Sequence, residues 1–121
     1  MSGKRVLITG GLGNLGSWLT EYFSNRNYTV TILSKNINNQ LDKDYRVIQS
    51  DITDIDDLKN KLADIEFDYC IHTASYNEFF HNDYPQKALL VNSLGTRNII
   101  EILKDKNLKR FIYLSTFHVY G

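Results

Sequence analysis

Val6-Leu7-Ile8-Thr9-Gly10-Gly11-Leu12-Gly13-Asn14-Leu15-Gly16 passes from an apolar run through a glycine-dense turn into the opening of an amphipathic helix. That order of strand, loop and helix is the one needed to hold a diphosphate. Unpaired backbone N–H groups and the helix dipole both favour negative charge at a helix N-terminus, and side chains on the loop would keep an anion away. Glycine removes that obstacle and permits positive φ. Gly11, Gly13 and Gly16 fit G-x-G-x-x-G, while Gly10, Gly13 and Gly16 fit G-x-x-G-x-x-G preceded by Thr9. Gly13 is placed for close approach of backbone to phosphate, and Gly16 for packing of the first helical turn against the strand. Asn14 and Leu15, at the helix opening, join the candidate set.

Glycine clusters occur in many ordinary loops, so the flanks carry the weight. Leu15, Trp18, Leu19, Tyr22 and Phe23 fall at i, i+3, i+4, i+7 and i+8, the stripe of a helix buried on one face. Asn27 stands where that helix should stop, tolerating the left-handed turn that glycine more often supplies.

Further along, runs expected to form strands alternate with helical patterns. The first strand covers residues 4–9, the first helix 14–26, and a second strand 28–33. Units that bind NAD carry a carboxylate near this second strand end, some 20 residues past the glycine motif, for the ribose 2′-OH. This chain has Ser34-Lys35-Asn36 instead. A hydroxyl and an ammonium accept a 2′-phosphate that a carboxylate would repel, so the reading leans toward NADP over NAD. A polar loop at 36–44 precedes a third strand at 45–49. Thr53 or Asp54 is then the candidate N-cap of a helix bearing Ile55, Leu58 and Leu62 on one face. Asp51 lies at a strand's carboxyl end, the edge where open α/β sheets bind ligands, and is a candidate for the adenine amine.

The fourth strand, 67–72, leads into Thr73-Ala74-Ser75, small residues that let a cofactor lie close above the sheet. An aromatic-rich irregular stretch at 76–84 gives way to a helix over 85–106. Along it Ala88, Val91, Gly95, Ile99 and Ile102 form an apolar stripe, and Gly95 is expected to let the helix approach the sheet. Asn92, beside that stripe, is assigned to a loop or cofactor group, and Asn98 to solvent. The fifth strand, 110–114, ends in Ser115-Thr116-Phe117-His118-Val119-Tyr120-Gly121. The expected architecture is a doubly wound α/β domain over 1–121, a parallel sheet of order 3-2-1-4-5 with helices on both faces.

Composition narrows the class further. The 121 residues suffice for one domain with its own core. Lys and Arg total 14, as do Asp and Glu, so no excess of positive charge points to nucleic acid or an anionic membrane. No apolar run approaches the roughly 20 residues of a membrane span, and no signal-peptide core follows Met1, so a cytoplasmic location is expected. Cys70, the single cysteine, sits in an apolar run and reads as a buried structural thiol. His72 reads as structural. No cluster of His, Cys and carboxylates has metal-ligand spacing.

With these pieces in order, the chain resembles the N-terminal part of the extended short-chain dehydrogenases/reductases, the NAD-dependent epimerase/dehydratase family. Thr9-Gly10-Gly11-Leu12-Gly13-Asn14-Leu15-Gly16 resembles the family's T-G-G-x-G-x-x-G, Asp51-Ile52 its adenine-contacting D-[ILV] pair, and His72-Thr73-Ala74-Ser75 its H-x-A-[AGS] turn. Val91-Asn92-x-x-Gly95-Thr96-x-Asn98 is similar to its helix motif, and Ser115-Thr116-x-x-Val119-Tyr120-Gly121 to its S-[ST]-x-x-V-Y-G ending. The resemblance implies hydride transfer at a sugar carbon of a nucleotide sugar, with Thr116 bonded to the reacting oxygen and a Tyr-x-x-x-Lys pair supplying the proton-transferring tyrosine. None of the eight tyrosines here has a lysine four residues later. The expectation is therefore a fragment that binds dinucleotide without turnover, with an open apolar sheet edge that favours association into a homo-oligomer. The alternative is a catalytically silent NAD(P)-binding sensor that regulates a partner.

Overall fold

A computed structural model of the chain describes residues 4–10, 14–35, 46–73 and 90–114, with 14, 15 and 90–92 described by their backbone. Short runs rich in Val, Ile and Leu form the parallel strands β1 (Arg5–Thr9), β2 (Thr29–Ser34), β3 (Arg46–Gln49), β4 (Tyr69–His72) and β5 (Arg110–Tyr113). Their order is β3-β2-β1-β4-β5, as the alternation of patterns predicts. Parallel strands are joined by crossovers, and three of these contain the described helices α1 (Asn14–Ser24), α2 (Ile55–Leu62) and α3 (Thr96–Leu103), the last preceded by a π-helical stretch, Leu90–Gly95.

Both faces of the sheet centre are covered, so β1 reads apolar at every position from Val6 to Ile8, and all three residues are fully buried. On one face Leu7, Leu33 and Cys70 pack with Leu58 and Leu62 of α2 and Ile99 and Leu103 of α3. On the other, Val6, Ile8, Val30, Ile32 and Ile71 meet Leu19 and Phe23 of α1. Leu58 and Leu62 are fully excluded from water, and truncating either to Ala costs about 2–5 kcal/mol. α2 starts at Asp54, whose side chain accepts from the Asp57 amide, which decides between the two expected caps.

The inward face of α1 is not the expected one. Trp18 is 77% exposed and Tyr22 46%. The helix instead buries Gly16 and Thr20, with Leu19 and Phe23 beside them. Thr20 Oγ1 donates to the Gly16 carbonyl at 2.8 Å, which satisfies the buried hydroxyl inside the helix. Leu19 and Phe23 pack on the sheet's core, and Trp18 and Tyr22 turn outward. Tyr22 finds a partner there, since the Arg26 guanidinium lies 3.7 Å from its ring centre. The helix ends as expected, with Asn27 at φ 66, and Asn107 repeats the device at φ 56 after α3.

At the amino edge of the sheet, Arg5 and Asp68 clasp β1 to the start of β4. The Asp68 carboxylate accepts from Arg5 N at 2.9 Å and from Nε and Nη2 at 3.2 Å each. The guanidinium holds this carboxyl down to about 2. The carboxyl edge, on the opposite side, is built differently.

Candidate functional site at the carboxyl edge of the sheet

β1 ends at Thr9, and Gly10 turns the chain away with φ 72. Most side chains are strained at that φ, so the backbone favours glycine there. The Gly10 amide donates to Leu33 O at 2.8 Å, fixing the turn to β2. α1 then opens at Asn14, and its first turn contains no acidic residue. The contrast with α2 is informative, because α2 fills its own N-terminus with Asp54, Asp56 and Asp57. An anion at the start of α1 meets amides and dipole without a competing carboxylate from that turn. Gly16 is buried in the first turn.

Strand order puts the ends of β3, β2, β1 and β4 side by side, and with them several expected binding residues. Ser34 and Lys35 follow β2, Asp51 and Ile52 follow β3, and Thr73 follows β4. Backbone bonds weld the first two ends together, with Ser50 N donating to Ser34 O at 3.0 Å. Gln49 Nε2 donates to Lys35 O at 3.1 Å. Asp51 Oδ1 accepts from Thr53 N at 2.9 Å and Thr53 Oγ1 at 2.8 Å, and its Oδ2 lies 3.8 Å from Lys35 Nζ. Gly11, Gly13, Ala74, Ser75 and Thr116 lie outside the described residues, as do His81 and His118. Asn14, Leu15 and Asn92 are described by backbone alone, the last within the π-helical stretch.

Two residues of the helical segment after β4 do more than the sequence suggested. Asn98, expected in solvent, is 2% exposed, and its Nδ2 donates to Ile52 O at 2.9 Å. What the missing Cβ of Gly95 makes room for is Ile52, whose Cγ1 would lie 2.7 Å from a methyl there, with Cδ1 nearer still. Helix α3 thus holds the Asp51-Ile52 loop both by shape and by a hydrogen bond. Asn98 sits between two stripe positions, three residues after Gly95, and that spacing is the signal that would have found it.

His72 organises the junction of β1 and β4. Its Nδ1 lies 2.7 Å from Thr9 Oγ1 and its Nε2 2.9 Å from Thr96 Oγ1 on α3. Phe111 and Tyr113 stack beside the ring at 6.1 and 5.5 Å. Both threonine hydroxyls can donate or accept, so the network closes around a neutral imidazole. Thr73 adds a bond from its amide to Thr9 Oγ1 at 3.0 Å, and its own hydroxyl donates to Thr9 O. Burial pushes the His72 ring down to about 4. Burial likewise pushes the Cys70 thiol upward. Neither group is poised for proton transfer at neutral pH, and no cluster of three or more His, Cys, Asp or Glu among the described residues could hold a metal ion. What the described edge offers is backbone donors, hydroxyls, the Lys35 ammonium, the Asp51 carboxylate and shape.

Comparison with known proteins agrees with the fold. The family model described as the NAD dependent epimerase/dehydratase family matches residues 6–121. The dTDP-D-glucose 4,6-dehydratase of Dictyostelium discoideum is 34% identical over 131 residues, an alignment covering 98% of this chain and 30% of that enzyme. Epimerase Mth375 of Methanothermobacter thermautotrophicus has a structure that superposes with a TM-score of 0.82 at 32% identity, covering 99% of this chain and 38% of that one. The Bordetella bronchiseptica enzyme WbmH, solved in complex with NAD+, gives 0.80 at 25% identity, covering 98% and 40%. The chain therefore spans well under half the length of these relatives.

Proposed function

Because the chain belongs to the NAD-dependent epimerase/dehydratase family, we propose that its carboxyl edge binds a nicotinamide dinucleotide, as the cofactor-binding part of an enzyme acting on a nucleotide sugar. The observation that carries this reading is the left-handed turn at Gly10 leading to α1, whose first turn lacks acidic residues. Gly10, Gly13, Asn14, Leu15 and Gly16 hold the diphosphate; Asp51 and Ile52 receive the adenine. Thr73, Ala74 and Ser75 keep the sheet's upper surface low, and Asn92 steadies the neighbouring loop. When bound, the nicotinamide supplies and recovers hydride at a sugar carbon. Thr116 then hydrogen-bonds the reacting oxygen.

The relatives support the substrate class: the Dictyostelium protein is named a dTDP-D-glucose 4,6-dehydratase. The family resemblance assigns proton transfer to a tyrosine four residues before a lysine, a spacing found for no tyrosine within these 121 residues, so the chain by itself is read as binding dinucleotide without turnover. Ser34 and Lys35 favour NADP over NAD by a small margin, through a hydroxyl and an ammonium offered to the 2′-phosphate.

Titration calorimetry of the 121-residue chain with NADH and NADPH tests the reading. Both are expected to give saturable heat, and Gly10→Val to abolish it while the far-ultraviolet circular dichroism persists. Silence with both dinucleotides would refute it.

A further inference from the structure

The ammonium offered to a 2′-phosphate already has a neighbour of opposite charge. Lys35 Nζ lies 3.8 Å from Asp51 Oδ2, although the two residues belong to different strand ends and stand 16 positions apart in sequence. Their meeting is built into the fold. β2 and β3 pair in register up to Ser34 opposite Gln49. The Ser50 amide extends the ladder by one bond, and Gln49 Nε2 grips the Lys35 carbonyl. Thr53 takes Asp51 Oδ1 with its amide and hydroxyl, which turns the other carboxylate oxygen toward Lys35. Lys61 of α2 is engaged elsewhere, with the Asp57 carboxylate at 3.2 Å and the Gln49 carbonyl.

Resting on the proposed dinucleotide site, we infer that Asp51 is a cofactor-specificity residue, whose carboxylate competes with the 2′-phosphate of NADP for Lys35 and so keeps the chain able to use NAD. A 2′-phosphate seated on Lys35 has to share the ammonium with Asp51 or displace it. Either way it also faces a fixed negative charge. NAD brings a neutral 2′-hydroxyl to the same corner and leaves the ion pair intact. Ser34 and Lys35 set the sign of the preference, and Asp51 limits its size. The pair is half exposed, so its influence is the modest one of a surface ion pair, large enough to tune a ratio and too small to exclude a cofactor.

The test is the ratio of NADPH to NADH dissociation constants, measured by calorimetry on the 121-residue chain and on Asp51→Asn, which retains an oxygen for Thr53. The ratio is expected to move about two- to fivefold toward NADPH, the range of a surface ion pair. The same exchange made on a Lys35→Gln background is expected to move it much less, because the competition has then lost its object. Raised salt should shrink the Asp51→Asn effect. An Asp51→Asn chain whose two affinities change in equal proportion, or an effect undiminished by Lys35→Gln, would overturn the inference while leaving dinucleotide binding standing. No binding of either cofactor by the unsubstituted chain would sink both.

Discussion

Thr9 and His72 face each other in the β1–β4 register, and the hydroxyl of one lies 2.7 Å from the imidazole Nδ1 of the other, with no solvent between them. The ring is locked between two strands and α3, and its burial favours the neutral imidazole.

Stability should therefore fall in mild acid. The folded-state value of about 4 lies below the ordinary 6.5, so the unfolded chain binds a proton that the folded chain refuses. Stability contributed by neutral His72 is complete above the unfolded value and declines as pH drops toward the folded one, by about 1.4 kcal/mol per pH unit. Urea unfolding between about pH 7 and pH 5 measures this slope. His72→Leu should flatten it while lowering stability throughout, since Thr9 and Thr96 lose a partner; an unchanged slope would exclude His72 as its source.

A second acid transition belongs to the opposite edge. Asp68 is held from 3.8 down to about 2 by Arg5, so its contribution is intact above the ordinary carboxylate range and lost as pH falls from 3.8 through about 2. Arg5 is half exposed, which screens the pair and keeps the effect small. Asp68→Asn should raise the pH midpoint of acid unfolding, and the shift should narrow in high salt.

Gly95→Ala sets two effects against each other. Alanine gains about 1 kcal/mol of helix propensity over glycine, whereas the new methyl collides with Ile52, whose own carbonyl is tied to Asn98. Overpacking costs about 1–3 kcal/mol and should win. Adding Ile52→Val, which removes the colliding Cδ1, should recover part of the loss in urea unfolding. A stabilised Gly95→Ala would show that the loop gives way freely.

Cys70 should be inert toward thiol reagents in the folded protein. It is fully buried on β4, and the loss of hydration disfavours the thiolate that such reagents need. Modification is expected to track global unfolding in denaturant, and rapid labelling in buffer would contradict the packing of this face.

Much of the architecture was legible because the central strands are buried on both sides and read as unbroken apolar runs, and because Gly10 and Asn27 mark sharp turns chemically. The face of α1 was not legible from hydropathy. Its true inward residues include Gly16 and Thr20, which carry no apolar weight, so the pattern drifted toward Trp18 and Tyr22. Asn98 was misplaced for a related reason: an amide counts as polar until its partner, here a carbonyl 46 residues earlier, is known. At the carboxyl edge, single residues such as Lys35 and Asp51 could be read from strand ends, but their encounter could not, because it depends on the register of β3 against β2.

The bond from Asn98 to the Ile52 carbonyl also constrains how the molecule assembles. It joins the loop after β3 to a helix made much later in the chain, so α3 cannot settle until that loop has its shape, and the loop lacks its anchor until α3 arrives. The two halves should therefore cross the folding barrier together, with backbone amides in α2 and α3 exchanging with deuterium at a common rate.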